Sequence, residues 1–406
     1  MKVLFLVHQF YPKFFSGTEA VTLNIARMTQ ISGNKVRVVT YDPTYRLDNE
    51  QKFGMKAHYS DTFYGTVPVT EFYIENPPHD IDTKIDDEDT LSFARMMLDR
   101  EKPDVVHATH LMRVNPFLTA AQERGIPCVL TLTDFWTICP RVNMVDKAGN
   151  ICFGNEKGGI CAGRCRDNVN YALRFAKITE LLKNAKLVTA PSLYVQRVIE
   201  SEINVGIEIF SHGIDYTKMP SEHTTCRRHK RIRIGFVGTI IEHKGVENLL
   251  SAFSAVKNRQ MDLVLYGSGR AEYERKLKDS IPDDGICWMG ACSRAEVMNA
   301  YNMMDILVVP SVCCETYSLA KNEALASGVP VIVSNLGALP EQISNGKNGF
   351  IFDPAHVDEL TDILQEINDN PQILNDLRKN VQMISVPSIE QEAFRYLAVY
   401  LDLIGR

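Results

Sequence analysis

Short apolar runs rich in Val and Ile alternate along this chain with stretches of helical period, and the alternation occurs twice. That pattern belongs to βαβ units and parallel sheets, because a strand buried on both faces reads as a continuous apolar run and each parallel pairing needs a crossover helix. In the first series, residues 2–7, 35–41, 67–73, 104–107, 127–132, 187–190 and 208–210 are expected strands. Helices are expected over 18–31, stopped by Gly33, and over 171–185. The stretch 216–230 breaks the pattern, being polar with Pro220 and a basic cluster from Arg227 to Arg231. The second series restarts at Ile232-Arg233-Ile234-Gly235-Phe236-Val237-Gly238 and continues with expected strands at 262–266, 286–288, 305–309, 329–333 and 349–352. The chain thus reads as α/β, with two doubly wound domains in tandem over 1–215 and 231–388, joined by a linker at 216–230. A final segment, 389–406, is an expected helix whose Phe394, Leu397, Leu401 and Ile404 share one stripe and should pack on a domain surface. Ligands of such sheets bind at the strand-to-loop crevice, here expected in a cleft between the domains.

Composition removes several function classes. Split after Asp215, the chain carries 24 basic against 26 acidic residues and then 20 against 24, so neither half has the excess of Lys and Arg that neutralises phosphates, and no nucleic-acid partner is expected. The opening run Val3-Leu4-Phe5-Leu6-Val7 is too short for a signal-peptide core, and nothing approaches about 20 consecutive apolar residues. The expected compartment is the cytoplasm, where ten cysteines stay mostly reduced. A dinucleotide site would want G-x-G-x-x-G after the first strand, but the loop from Gln9 to Glu19 holds only Gly17; no Gly-Lys-Ser/Thr phosphate loop occurs. Asp80-Ile81-Asp82 has the letters of a metal-binding Asp-x-Asp, yet it lies in an acidic stretch that reads as a solvated loop.

The stretch from Pro310 to Ile332 carries the most chemistry. It follows a strand and opens a helix, which puts Glu315 in the loop and Glu323 on the helix, while free amides around Thr316 to Leu319 point toward the crevice. Helix N-terminal amides attract phosphate, and nearby carboxylates grip sugar hydroxyls. Taken alone, two glutamates at this spacing are more readily solvated helix-surface residues.

The surroundings decide otherwise. Glu315 and Glu323, separated by seven residues and followed by Ala324-Leu325-Ala326-Ser327-Gly328-Val329-Pro330-Val331-Ile332, resemble the donor-site signature of retaining glycosyltransferases of the GT-B fold, family 4 type. Val237-Gly238 with Lys244-Gly245, Gly267-Ser268-Gly269 and Gly337-Ala338-Leu339-Pro340-Glu341 occur in the expected order, and Ser16-Gly17-Thr18-Glu19 is similar to the first glycine loop. The resemblance covers nearly the whole chain. It implies two Rossmann-like domains, with the C-terminal helix crossing back to the first. It also implies retaining, metal-independent transfer of a sugar from a nucleotide-diphosphate sugar to a glycan, lipid-linked glycan or other hydroxyl acceptor, as in polysaccharide or glycoconjugate biosynthesis. The alternatives are a sugar-nucleotide epimerase or hydrolase of the same fold, and a degenerate non-catalytic binding subunit.

By position, the resemblance makes Glu323 the ribose-binding residue, Glu315 a donor-sugar ligand and Lys244 the lysine that meets the diphosphate, the last two forming the catalytic pair. Gly17, Thr239, Gly267, Tyr317, Ser318 and Leu319 fall at donor-binding positions. Two positions depart from the family pattern. Thr239 stands where an Arg is usual after Val237-Gly238, with His243 or Arg270 as substitutes for the lost charge. In Leu130-Thr131-Leu132-Thr133-Asp134-Phe135-Trp136, Thr133 replaces the His of a usual His-Asp, so Thr133 and Asp134 are candidates on the sugar or acceptor side.

Cys139, Cys152, Cys161 and Cys165, with twelve, eight and three residues between them, lie in a Gly-rich insertion over 139–165. Four thiolates there suit a structural zinc, with free thiols as the alternative and a disulfide disfavoured by the reducing compartment. No catalytic metal is expected. Cys313 and Cys314 adjoin Glu315 without a recognisable paired base, which argues against a nucleophilic role. Beyond the cluster, Arg164, Arg166, Arg174, Lys177, Lys183 and Lys186 alternate with Phe175, Ile178, Leu181 and Leu182. Such a helix either lies peripherally on an anionic membrane or packs its apolar side into the domain.

Overall fold

The computed structural model describes residues 1–45, 50–54, 56–154, 156–165, 169–218, 231–281 and 285–405. The chain divides into two units, Met1–Gly213 with Ile389–Arg406, and Ile214–Ser388. From 219 on, the expected linker lies outside the described residues, as does Arg166.

The first unit is built on β1 (Lys2–Val7), β2 (Lys35–Tyr41), β3 (Gln51–Phe53), β4 (Ala57–Tyr64), β5 (Val67–Ile74), β6 (Val105–Ala108), β7 (Cys128–Thr131), β8 (Leu187–Ala190) and β9 (Glu208–Ile209), in the order β3-β4-β5-β2-β1-β6-β7-β8-β9. From β5 to β9 the pairings are parallel. Val3 to Val7 are all fully buried, as a central parallel strand covered on both faces requires. β3 and β4 extend the edge antiparallel. The sequence reading passes over them because β4 is buried chiefly at Ala57 and Ser60 and exposed over Asp61 to Phe63, which leaves no period-2 apolar pattern to see.

The helix Ile389–Leu403 packs on this unit, with Leu397 and Ile404 of the expected stripe facing the core and the other two turned away. Phe394 and Leu401 face solvent, while Ala393, Tyr396, Leu397 and Tyr400 are buried. Tyr400 Oη lies 2.5 Å from His107 Nδ1, and Tyr396 Oη lies 2.7 Å from Thr131 Oγ1 and 2.8 Å from Thr189 Oγ1. A simple hydrophobic stripe misplaces this face because two tyrosines can be buried wherever the strand ends supply partners for their hydroxyls. Burial pushes His107 down to about 3, so it enters this network as a neutral imidazole.

The second unit holds β10 (Ile232–Val237), β11 (Met261–Tyr266), β12 (Ile286–Gly290), β13 (Ile306–Val309), β14 (Val331–Ser334) and β15 (Gly349–Phe352), all parallel, in the order β12-β11-β10-β13-β14-β15. Ile306 and Val308 join one apolar cluster and Leu307 and Val309 another, so β13 is buried by helices on both faces. In both units strand order reverses beside the first strand, between β1 and β6 and between β10 and β13. The loops leaving the carboxyl ends of those strands form the crevice where doubly wound sheets bind ligands.

Candidate functional site

In the second unit the switch point brings together the loops after β10 and β13. The first ends in a single 3₁₀ turn, Glu242–Lys244, followed by Gly245 at φ 68°. A Cβ on Gly245 would stand 1.9 Å from the Pro310 carbonyl oxygen, so only glycine lets the two loops approach this closely. The Val312 N–H donates to the His243 carbonyl at 2.9 Å and pins them together. The result is an ion pair, with Lys244 Nζ 2.5 Å from Glu315 Oε1. Ser311 Oγ donates to the same oxygen at 2.7 Å.

Burial alone would raise Glu315, but the Lys244 charge and the bonds from Lys244 and Ser311 hold its carboxyl below the ordinary range. Burial likewise opposes the Lys244 charge, and Glu315 more than offsets it, raising the ammonium above its ordinary value. Both groups are therefore charged at neutral pH. Burial and Glu315 push the neighbouring Cys313 thiol up to about 12, which fits the expectation that it is no nucleophile.

Glu323 sits on the helix Leu319–Ala326, 2% exposed, and accepts the Tyr301 hydroxyl at 2.8 Å. Ser318 caps this helix at φ 63°, its Oγ accepting the Lys321 N–H at 3.3 Å. Asn322 Nδ2 donates back to the carbonyls of Tyr317 and Ser318 at 3.2 and 3.0 Å. The turn over Tyr317 to Leu319 is thus held from both ends, in a backbone region that side chains adopt only when the surroundings impose it. Lys321, buried in the first helical turn, donates to the carbonyls of Ala338 and Glu341 at 3.1 Å each, and burial lowers it to about 8.

The remaining expected residues of this unit are placed differently. Gly267 donates its N–H to the Gly290 carbonyl at 2.8 Å, and a Cβ there would stand 1.8 Å from the Gly238 oxygen, so contact between neighbouring loops already accounts for the glycine. Thr239 is exposed. Of its two proposed substitutes, Arg270 pairs with Glu242 at 2.5 Å on the surface, while His243 sits beside Lys244 and is lowered by burial and by that charge.

The first unit's switch point carries its own polar cluster. Thr18 Oγ1, one residue after Gly17 opens the helix Gly17–Ile31, donates to Thr133 Oγ1 at 3.0 Å. Thr133 Oγ1 in turn donates to the Thr109 carbonyl at 2.9 Å, so this hydroxyl knits the first glycine loop to the end of β6. Asp134 Oδ2 lies 2.6 Å from His110 Nε2. Because His110 Nδ1 accepts the Met112 N–H at 3.0 Å, the proton is on Nε2 and His110 is the donor. The His8 ring lies 3.9 Å from that of His110, and burial, followed by the proximity of His110 and Arg113, keeps His8 well below its ordinary value and neutral. Asp82 accepts Arg113 Nε at 2.8 Å. Sequence reasoning missed His8, His110, Tyr301, Ser311 and Lys321. The carboxyl-end positions of His8 and His110 were a usable signal; Tyr301, 22 residues before Glu323 on a preceding helix, offered none.

Residues 15–218 match the sequence profile of Glycosyltransferase Family 4, and residues 224–383 that of Glycosyl transferases group 1. The chain belongs to glycosyltransferase family 4. Over 202 residues this chain is 29% identical to the D-inositol 3-phosphate glycosyltransferase of Pseudarthrobacter chlorophenolicus, across 43% of this chain and 48% of that one. The match therefore spans about half the length of the relative. Among solved structures, sucrose-phosphate synthase from Thermosynechococcus elongatus superposes with a TM-score of 0.75 at 16% identity, covering 100% of this chain and 99% of that one. HepE of Anabaena, solved with UDP, superposes with a TM-score of 0.73 at 17% identity, covering 99% and 100%. At these identities the likeness shows the fold, which is GT-B.

The basic helix of the first unit, Tyr171–Asn184, turns Arg174 inward and buries Ile178, Leu181 and Leu182; Lys177 pairs with Asp86 at 2.5 Å. Two of its cationic positions are thus committed within the domain. Among the described residues no helix is long and apolar enough to cross a membrane.

Proposed function

We propose that this glycosyltransferase moves a sugar from a nucleotide-diphosphate sugar to a hydroxyl of a glycan or lipid-linked glycan, with retention of configuration and without a catalytic metal. The observation that carries the reading is the Lys244–Glu315 pair at the switch point beside the amides that open the Leu319–Ala326 helix. An ammonium and helix-terminal amides together supply the positive field that a departing diphosphate needs, the task a divalent cation performs elsewhere. In support, HepE of Anabaena has been solved with UDP and with UDP-glucose.

In this reading Lys244 meets the diphosphate, Glu315 holds donor-sugar hydroxyls and Glu323 the ribose. Tyr317, Ser318 and Leu319 present backbone amides, with Gly17, Thr239 and Gly267 lining the donor. Thr133 and Asp134 serve the sugar or acceptor side. The glycosidic C–O bond to phosphate breaks as the acceptor oxygen bonds to the same face of the anomeric carbon, and the acceptor proton passes to the leaving phosphate oxygen. No side-chain base is required.

Donor turnover with and without a hydroxyl acceptor, in the presence of a chelator, tests this. Transfer that needs the acceptor, survives the chelator and keeps the anomeric configuration by NMR is the expected result. Turnover without acceptor favours the epimerase or hydrolase reading, and binding without turnover the degenerate one.

A further inference from the structure

The loop between β7 and the Tyr171–Asn184 helix carries four cysteines on a series of tight turns. Cys139 opens a turn closed by the Val142 N–H to the Cys139 carbonyl at 2.9 Å. A small hairpin bridged at Val145 and Ile151 then delivers Cys152, whose N–H returns to the Met144 carbonyl at 2.7 Å. Cys161 and Cys165 bracket one further turn, with the Cys165 N–H donating to the Cys161 carbonyl at 3.0 Å. The Lys147 N–H donates to the Arg164 carbonyl at 3.0 Å and ties hairpin to turn. Cys152, Cys161 and Cys165 line one cavity of about 550 Å³ together with Asp146, Phe153 and Arg164. All four cysteines are free thiols.

The loop packs against one buried cation, Arg174. It is 6% exposed, its Nε has no hydrogen-bond partner, and among the described residues no carboxylate stands within ion-pair distance. Its guanidinium stacks 4.4 Å over the Trp136 ring, donates to the carbonyls of Trp136 and Thr137, and lies within electrostatic reach of Cys139 and Cys161. The Asp134 carboxylate also lies within that reach, and negative charge on the sulfurs beside it would add to what a cation this deeply buried needs.

We propose that Cys139, Cys152, Cys161 and Cys165 bind one zinc ion as thiolates, and that Arg174 neutralises part of the charge of the resulting centre. Zn²⁺ replaces four S–H protons, which leave to solvent, and a tetrathiolate centre carries a net charge of about −2. Among the described residues no three His, Cys, Asp or Glu side chains already stand in a metal-holding arrangement, so the ion draws the sulfurs inward. The centre is structural. Cys139 is anchored by its N–H to the Phe135 carbonyl at 2.6 Å, one residue after Asp134, so closing the loop fixes the segment that presents Asp134 to His110.

The test is metal analysis of the full chain purified without chelator. The expected result is about one zinc per chain, released by a mercurial thiol reagent, with the Cys161→Ser/Cys165→Ser variant holding none. Should that variant fail to fold, cobalt substitution of the parent serves instead, and the intense absorption of tetrahedral Co(II)–thiolate is expected. The parent should also lose melting temperature on strong chelation at constant pH. Zinc near zero, a disulfide among the four cysteines by non-reducing mass spectrometry, or zinc unchanged in the double variant would each overturn the proposal.

Discussion

Lys244 and Glu315 lie on loops 71 residues apart in sequence, yet their charged atoms meet at 2.5 Å. The groups assigned to the diphosphate and the donor sugar thus neutralise each other, and an entering diphosphate must share Lys244 with Glu315. Lys244→Ala should lower turnover by about 100-fold or more, the usual scale for losing one charged contact to a developing oxyanion. It should also destabilise the fold by about 1–3 kcal/mol, because Glu315, 12% exposed at the side chain, loses the partner that offsets the cost of burying its carboxylate. Adding Glu315→Gln should recover much of that stability and none of the activity. Urea melts and initial rates on the three variants check this, and a single variant with parental turnover would remove the pair from the mechanism.

The same pair sets a pH dependence. Glu315 in the folded chain titrates below its ordinary value, so its contribution is fully present above the unfolded carboxylate range of about 4.3 and is lost as pH falls through the folded value. Lys244 titrates above its ordinary value, so its contribution holds below about 10.4 and is lost only as pH rises through the higher folded value. Melting temperature should therefore differ between the parent and Glu315→Gln at pH about 7, with the gap narrowing below pH about 4. A gap of constant size across that range would show that the carboxylate charge is not what stabilises this loop.

Gly245→Ala should fail for a reason separate from charge. The added carbon would stand 1.9 Å from backbone oxygen at Pro310, which cannot yield as a side-chain tip can, and φ 68° is itself strained for alanine. A loss of about 1–3 kcal/mol is expected, together with reduced transfer because Lys244 must move with the loop. Thermal unfolding and kinetics check both parts, and parental values for both would show that the loops are not locked here.

How much of this was legible in the sequence varies with the range of the interaction. Strands such as β1 and β13 announce themselves because burial on both faces writes a continuous apolar run. The β3–β4 edge, half exposed and mixed in character, writes nothing comparable. Within the site, Lys244, Glu315 and Glu323 could be read because each sits in a local motif of glycine loop or loop-to-helix turn. Ser311, Lys321 and Tyr301 could not, since their roles depend on which backbone or carboxyl oxygen the tertiary fold brings to them. The C-terminal helix shows the same limit: its length was plain, but Phe394 and Leu401 outrank Tyr396 and Tyr400 on any hydrophobic scale until the partners Thr131, Thr189 and His107 are known.

Glu323 and Tyr301 give the most direct test of the donor site. Both are buried, at 2% and 0% exposure, and the phenol donates to Glu323 Oε2 at 2.8 Å, so the carboxylate is oriented by a group that need not touch the donor. If Glu323 holds the ribose hydroxyls, Glu323→Ala removes an interaction made equally in the ground and transition states; nucleoside diphosphate affinity should fall by about 10- to 100-fold while kcat changes little. Tyr301→Phe keeps the carboxylate and removes only its orientation. It should weaken the same binding by less and destabilise the fold by about 1.5–3 kcal/mol, the range for a hydrogen bond to a charged group. Calorimetric titration with UDP and GDP, alongside steady-state kinetics on the preferred donor, separates the two. A Glu323→Ala chain that binds the preferred nucleoside diphosphate as the parent does, but turns over slowly, would move Glu323 from ribose recognition to the chemical step.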